Sequence, residues 1–316
     1  MESVMGDGLL MAAAITWIRP LWRVGVGVVA VLAGLGALIV LFGMLFPRTA
    51  AIARTTAREA MAQPLFYVLL GIGVFAILIF PFVPYHTFGE DVKMLKAEGL
   101  TLIKVLAIVL ALWTASVSIA EEIEGRTALT LLSKPISRRQ LVVGKFLGII
   151  IPVAIVFVVL GGLFVATVSY KVVYDARESA RPEPTSAECV AEMAQIAPGL
   201  VLSFLEAVVL ASISVAISTR LPMMANLTIC ASVYVLGHLV PVLVSSAVGQ
   251  FAIVGFVASL LTVILPVLDH FNMETAISTG RMVPWLYLGW AVIYCVLYST
   301  VAMFMALLLF EDRDLA

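Results

Sequence analysis

Glu121 to Lys145 reads EEIEGRTALTLLSKPISRRQLVVGK. This charged stretch lies between two apolar runs, each long enough to cross a bilayer, and its breaks are well marked. The preceding run closes on Glu121, Glu122 and Glu124, then Gly125, a residue suited to the position just past a helix. Three carboxylates at a helix C-terminus oppose the macrodipole, by about 0.3–1 kcal/mol each when exposed. Basic groups should offset them. Glu122 and Arg126 stand four apart with the acid first, the favourable order, and Arg138 and Arg139 are further candidates. Thr127 to Ser133 suits about two helical turns, with Leu129, Leu131 and Leu132 as apolar contacts, and Pro135 ends them. Ser137-Arg138-Arg139-Gln140 reads as a capping box that opens the next helix. The order is helix, break, short helix, break, helix. In a membrane chain without a catalytic motif, that suggests a docking surface for a soluble partner. A solvated turn whose arginines merely set topology is the alternative.

The rest of the chain makes it a membrane protein. Of 316 residues, 62% are apolar and only 12% charged, with mean hydropathy +1.12. No soluble domain needs that much apolar surface. A membrane helix needs about 20 mainly apolar residues, and seven runs qualify: 24–46, 64–84, 100–120, 141–169, 199–218, 226–248 and 284–310. The N-terminus does not read as a signal peptide: Glu2 and Asp7 occupy the n-region, and Arg19 and Arg23 follow the short apolar run. Residues 9–18 are too few to span and suit the interface, anchored by Trp17 and Trp22. Cys189, Cys230 and Cys295 have no metal or redox spacing and read as small packers. His86, His238 and His270 form no zinc pattern. The net charge of -1 favours no partner class, and nothing implies nucleic acid.

Lysine and arginine placement gives an orientation. The stretches 47–63, 121–145 and 219–225 carry nine basic residues, against five in 85–99 and 170–198. The first set is expected in the cytoplasm. Residues 48–62 project as an amphipathic helix. Arg54, Thr55, Arg58 and Glu59 share one face, and Ala50, Ala53, Ala57, Ala60 and Met61 the other. Such a helix lies on the inner surface with its cations toward lipid phosphates, unless the stretch is an ordinary polar linker. Pro64 opens the next span where a missing N–H costs little. The outer loop 170–198 contains RPEPTSAE and is expected to be extended or mobile. The run 250–268 sets the parity. Its neighbour 269–283 carries Asp269, Glu274 and one basic residue, Arg281, a poor cytoplasmic signature, so a re-entrant outer segment is expected over a full crossing. Backbone at that depth needs protein or water to cover it.

The segment Glu121–Lys145 resembles the signature region of ABC-2 type permeases, the membrane subunits of one class of ATP-binding cassette transporters. The family pattern stands here as Glu121, Glu122, Glu124, Gly125, Arg126, Thr127, Leu131, Leu132, Ser133, Pro135, Ile136, Ser137, Arg138, Gly144 and Lys145. The resemblance implies an all-α polytopic fold. It comprises a six-span core with an amphipathic elbow helix (48–62, with Arg54 and Arg58 at the interface) and a re-entrant outer segment (250–268). It divides the chain into an N-terminal segment 1–47, a permease domain 48–310 and a cytoplasmic tail 311–316. The span 24–46 is extra to that core; its Ala30 and Gly34 permit close helix contact, though small-xxx-small is a weak signal. The resemblance also implies that the loop 121–145 docks on a separate ATP-binding subunit, which holds ATP and Mg. This chain carries no ATPase motif and no cofactor: Gly144-Lys145 lacks the upstream Gly and downstream Ser/Thr of a P-loop. The expected assembly has two membrane halves, a second copy or a related chain, among membrane lipids, and exports an unknown substrate.

Two ionisable residues fall deep within spans. Glu206 is mid-span in 199–218 and His238 deep in 226–248. A charged group at such depth costs at least about 2.5–3.5 kcal/mol and should face protein or water. They read as a proton relay, a substrate lining, or an inter-helix hydrogen bond with neutral Glu206. Lys104 reads as snorkelling to the outer surface, and Asn226 and Gln250 as span-end residues with no special role. A proton-driven secondary transporter using Glu206 and His238 is the rival function, against which stands the absence of an inverted repeat. A non-transporting anchor for an ATPase is a further alternative. An intramembrane enzyme lacks any catalytic constellation.

Overall fold

Prolines and caps divide the chain where its apolar runs begin and end. In the computed structural model, which describes residues 16–83, 90–120, 137–245 and 251–311, Pro47 opens α2 (Pro47–Ala62) and Pro64 opens α3 (Pro64–Ile79), each at a first-turn position where no N–H is needed. They follow α1 (Leu21–Leu45). Next come α4 (Asp91–Ala115), ending in a π turn over Ser116–Ala120, and α5 (Arg138–Glu178). The short α6 (Ser186–Ala194) precedes α7 (Ile196–Ser218) and α8 (Met223–Ser245). After α9 (Ala252–Ile264) come a 3-10 turn (Leu268–Phe271), α10 (Glu274–Thr279) and α11 (Trp285–Glu311). Among the described residues seven helical stretches are long and apolar enough to span a membrane, and they coincide with the seven apolar runs.

Side-chain ties sort the helix ends into two groups. At one end, called A, Arg138 at the start of α5 donates to the carbonyl of Phe310 near the end of α11 (3.4 Å), and Arg220 just past α7 donates to that of Leu309 (2.8 Å). Asn226 at the start of α8 joins the ends of α4 and α7 there. At the opposite end, B, Lys171 of α5 donates to the Pro81 carbonyl after α3 (3.1 Å), and Lys96 of α4 bonds Gln195 before α7 (2.8 Å). Ser169 reaches the Trp17 carbonyl (3.1 Å), which puts the start of α1 at B. Among the described residues α1 therefore starts at B and α11 ends at A, with seven candidate crossings between. α9, with thirteen residues, reaches about 20 Å, against about 30 Å of hydrocarbon.

The return from α9 is tied to α11 by tyrosines. Tyr298 donates to the Ile264 carbonyl (3.2 Å), the Val267 N–H donates to Tyr294 (2.9 Å), and Tyr287 donates to the His270 carbonyl (2.6 Å). The non-helical backbone thus climbs α11 with polar groups answered at three levels.

α7 lies at the centre, packed by α4, α5 and α11; Leu202, Ala207, Val209 and Leu210 are fully buried. Phe164 of α5, also fully buried, fills the space left by Gly99 of α4, where any Cβ would stand 2.1 Å from its ring. α1 sits at the margin and buries no residue.

Two sequence expectations are revised. The stretch 170–198 is largely helical: α5 continues to Glu178, and Thr185 and Glu188 form a capping box that opens α6. Only the proline-bearing connection between them is irregular. In α2, Arg54, Thr55, Arg58 and Glu59 are exposed and Ala50, Ala53, Ala57 and Ala60 buried, with Met61 half-buried, as the helical projection gives. The alanine face, however, meets α5. Gly144 and Gly148 allow this approach; a Cβ at Gly148 would lie 2.6 Å from the Thr56 Cβ and 2.8 Å from the Ala53 carbonyl oxygen.

Gly148→Val is therefore expected to destabilise the protein by about 1–3 kcal/mol through overpacking, read as a lowered melting temperature in detergent. Gly71→Val, with open space around it, should leave that temperature nearly unchanged.

Candidate functional site

Two polar constellations stand out in an otherwise apolar bundle. The first is at end A. Ser137 and Gln140 form the reciprocal capping box read from the sequence: the Gln140 N–H donates to Ser137 Oγ (3.3 Å) and the Ser137 N–H to Gln140 Oε1 (3.1 Å). This fixes where α5 begins. Arg138 lies over the Phe310 ring, 5.8 Å from its centroid, as well as bonding its carbonyl. A cation at the last carbonyls of a helix answers both unpaired oxygens and the negative end of the dipole; Arg220 does the same one residue earlier. Glu121, Glu122, Glu124, Gly125, Arg126, Thr127, Leu131, Leu132, Ser133 and Pro135 lie outside the described residues.

Asn226 is fully buried, and its amide nitrogen lies 2.6 Å from Ser116 Oγ in the π turn, 2.8 Å from Ser214 Oγ and 2.8 Å from Ser218 Oγ. With two hydrogens to give, it serves two of these at a time. Its carbonyl oxygen accepts from the Cys230 thiol (3.3 Å). The residue thus joins α4, α7 and α8 where α4 closes. Sequence reading gave it no special role. Ser214 and Ser218, four apart on α7, were the available signal: two hydroxyls on one face.

The second constellation is within the bundle. Glu206 of α7 is wholly buried, with Lys104 of α4 3.3 Å from Oε2 and His238 of α8 3.4 Å from Oε1. The sequence paired Glu206 with His238, and the structure brings them together. Lys104 is a correction: it turns inward to Glu206 and lies 5.9 Å above the Tyr234 ring. A buried carboxylate demands a counter-charge, and that demand outweighs the route to the surface. His238 Nδ1 lies 3.0 Å from the Tyr234 carbonyl oxygen, which leaves Nε2 facing Glu206 Oε1. Among the described residues no three His, Cys, Asp or Glu side chains form a metal-holding group.

Glu206→Gln should cost of the order of 3 kcal/mol, because Lys104 loses its partner in a low-dielectric interior. Pairing it with Lys104→Met should recover much of that loss. Thermal unfolding of the two single variants and the double variant completes the cycle; additive losses would mean that the two groups do not interact.

Residues 76–315 match a protein family described as ABC-2 family transporter protein. No curated protein matches the chain.

Proposed function

The chain belongs to the ABC-2 family of transporter proteins, as the match over residues 76–315 shows, and from that premise we propose that it is the permease half of an ATP-driven exporter. It is a multi-pass membrane subunit with no ATPase activity of its own. In this reading a separate ATP-binding subunit, carrying ATP and Mg, docks on 121–145 at end A. Glu121, Glu122, Glu124, Gly125, Arg126, Thr127, Leu131, Leu132, Ser133, Pro135, Ser137 and Arg138 form the contact. A second copy or a related permease completes the membrane part.

The observation that carries the proposal is the family match, which contains the whole docking stretch. The geometry at end A supports it. A push on 121–136 acts first on the end of α4 and the start of α5, its direct flanks. Asn226 passes the first to α7 and α8, and Arg138 passes the second to α11. Five crossings, α4, α5, α7, α8 and α11, would therefore respond together, the requirement for a rigid-body switch between two access states.

End A is the cytoplasmic face in this reading, since Arg54, Arg58, Arg138, Arg139 and Arg220 gather there. α2 is then the elbow, with Arg54 and Arg58 toward the inner lipid surface. α9 and its tyrosine-tied return form a re-entrant hairpin from the outer face, where α11 covers backbone that lipid cannot satisfy. Thr279→Cys should react with an impermeant maleimide from outside intact cells, and Arg139→Cys only after permeabilisation. The reverse pattern would invert the protein.

The rival reading, proton-driven transport, has the buried contact between Glu206 and His238 in its favour. Lys104 in the same cluster weighs against it, because a second partner on Glu206, from another helix, suits a structural tie. A detergent pull-down decides between them. A P-loop ATPase should co-purify with the wild type and be lost with the Glu122→Lys, Arg126→Glu double variant. Transport by the chain alone, abolished by Glu206→Gln, would establish the rival.

A further inference from the structure

The marginal helix α1 stands off the bundle rather than packing into it. Between α1, α5 and α7 lies an apolar cavity of about 530 Å³, walled by residues that include Val28 and Val31 of α1, Phe157 of α5, and Leu200 and Phe204 of α7. Along α1 it runs from Arg23 to Leu35, about 18 Å at 1.5 Å per residue, slightly more than one leaflet of a hydrocarbon core about 30 Å thick. At Gly162 of α5 the two helices come close, with Val28 of α1 3.0 Å from where a Cβ would be.

The end-B mouth of this groove has the opposite chemistry. A second pocket of about 330 Å³ adjoins it, sharing Arg23 and Val190, and is walled by Arg19, Trp22 and Ser186. Both arginines are exposed, and among the described residues neither meets a carboxylate. The nearby acids of α6 are engaged elsewhere, Glu188 in its capping box and Glu192 with Lys96. Arg23 lies 5.7 Å from the centroid of the Trp22 ring, a contact that leaves its N–H groups available. Two like charges sharing a pocket call for an anion between them, and guanidinium groups suit a phosphate. End B is also the end poorer in basic residues, where arginine is disfavoured unless it has a use.

We propose that this groove is a binding site for one anionic phospholipid, with an acyl chain between α1 and the α5–α7 face and the phosphate held by Arg19 and Arg23. The cavity is within the size range of ligand sites, and its apolar body with a cationic mouth complements a lipid entering from the end-B leaflet. Trp17 and Trp22 mark the level of the headgroups. α1 lies outside residues 76–315, and the site is separate from the proposed docking surface at end A.

The test uses the full chain in detergent, titrated with phosphatidylglycerol or with phosphatidylcholine of the same acyl chains, and bound lipid counted by native mass spectrometry. One phosphatidylglycerol per chain should be retained with at least about tenfold preference. Arg19→Gln with Arg23→Gln should bring its retention down to that of phosphatidylcholine. Val31→Trp, which fills the groove and leaves both arginines, should displace both lipids. Glycerol 3-phosphate, a headgroup without chains, should not compete. Equal retention of the two lipids by the wild type would overturn the proposal without reference to any variant. So would a preference that survives loss of both arginines, lipid retained by Val31→Trp as in the wild type, or displacement by glycerol 3-phosphate.

Discussion

A carboxylate in hydrocarbon must be answered by another charge or give up its own, and Glu206 imposes that condition on the centre of this bundle. It sits on α7, the helix that the others surround. Its two oxygens look to different neighbours, Lys104 on α4 and His238 on α8. One buried group thereby sets the relative height of three crossings, which apolar packing alone leaves free to slide. Such a fixed register has a cost in desolvation and specifies one arrangement among many of similar apolar contact.

The two ends of the bundle solve the problem of unpaired helix termini in different ways. At A the solution is compact: a reciprocal cap on α5, two arginines on the last carbonyls of α11, and one asparagine shared by three helices. These ties lie at the flanks of the stretch proposed to meet an ATPase, where firmness would serve transmission. At B the connections carry lysines that cross between helices, with Lys171 and Lys96 buried as they do so. The return after α9 is held by a row of tyrosines whose rings suit the apolar surroundings while each hydroxyl meets the backbone. That row explains how irregular chain can pack beside α11 without leaving its polar groups unanswered.

Much of this was legible in the sequence, for physical reasons. A bilayer turns length and apolarity into a nearly one-dimensional signal, so all seven candidate crossings could be placed by counting. The capping box at Ser137 is local chemistry and needs no tertiary knowledge. The box at Thr185 and Glu188 has the same form, but it directly follows Pro182 and Pro184, whose composition reads as irregular chain. The polar face of α2 followed from helical spacing, but not what its alanine face would meet, because Gly144 and Gly148 are distant in the chain. Lys104 and Asn226 were misjudged for one reason. Each stands where its own helix suggests an ordinary role, and only the arrival of a second helix shows what it bonds.

α5 has 41 residues, about 60 Å as a continuous helix, twice the hydrocarbon thickness. Its first turn borders the proposed ATPase-facing stretch, and its last turns stand among the polar connections of the other face. Such a rod acts as a mechanical arm. A tilt of about 5° about its first turn sweeps the far end through about 5 Å over that length, so a small displacement at one face becomes a passage-sized one at the other. Pro152, inside the helix, removes one backbone bond and gives the arm a single point of compliance in its first half.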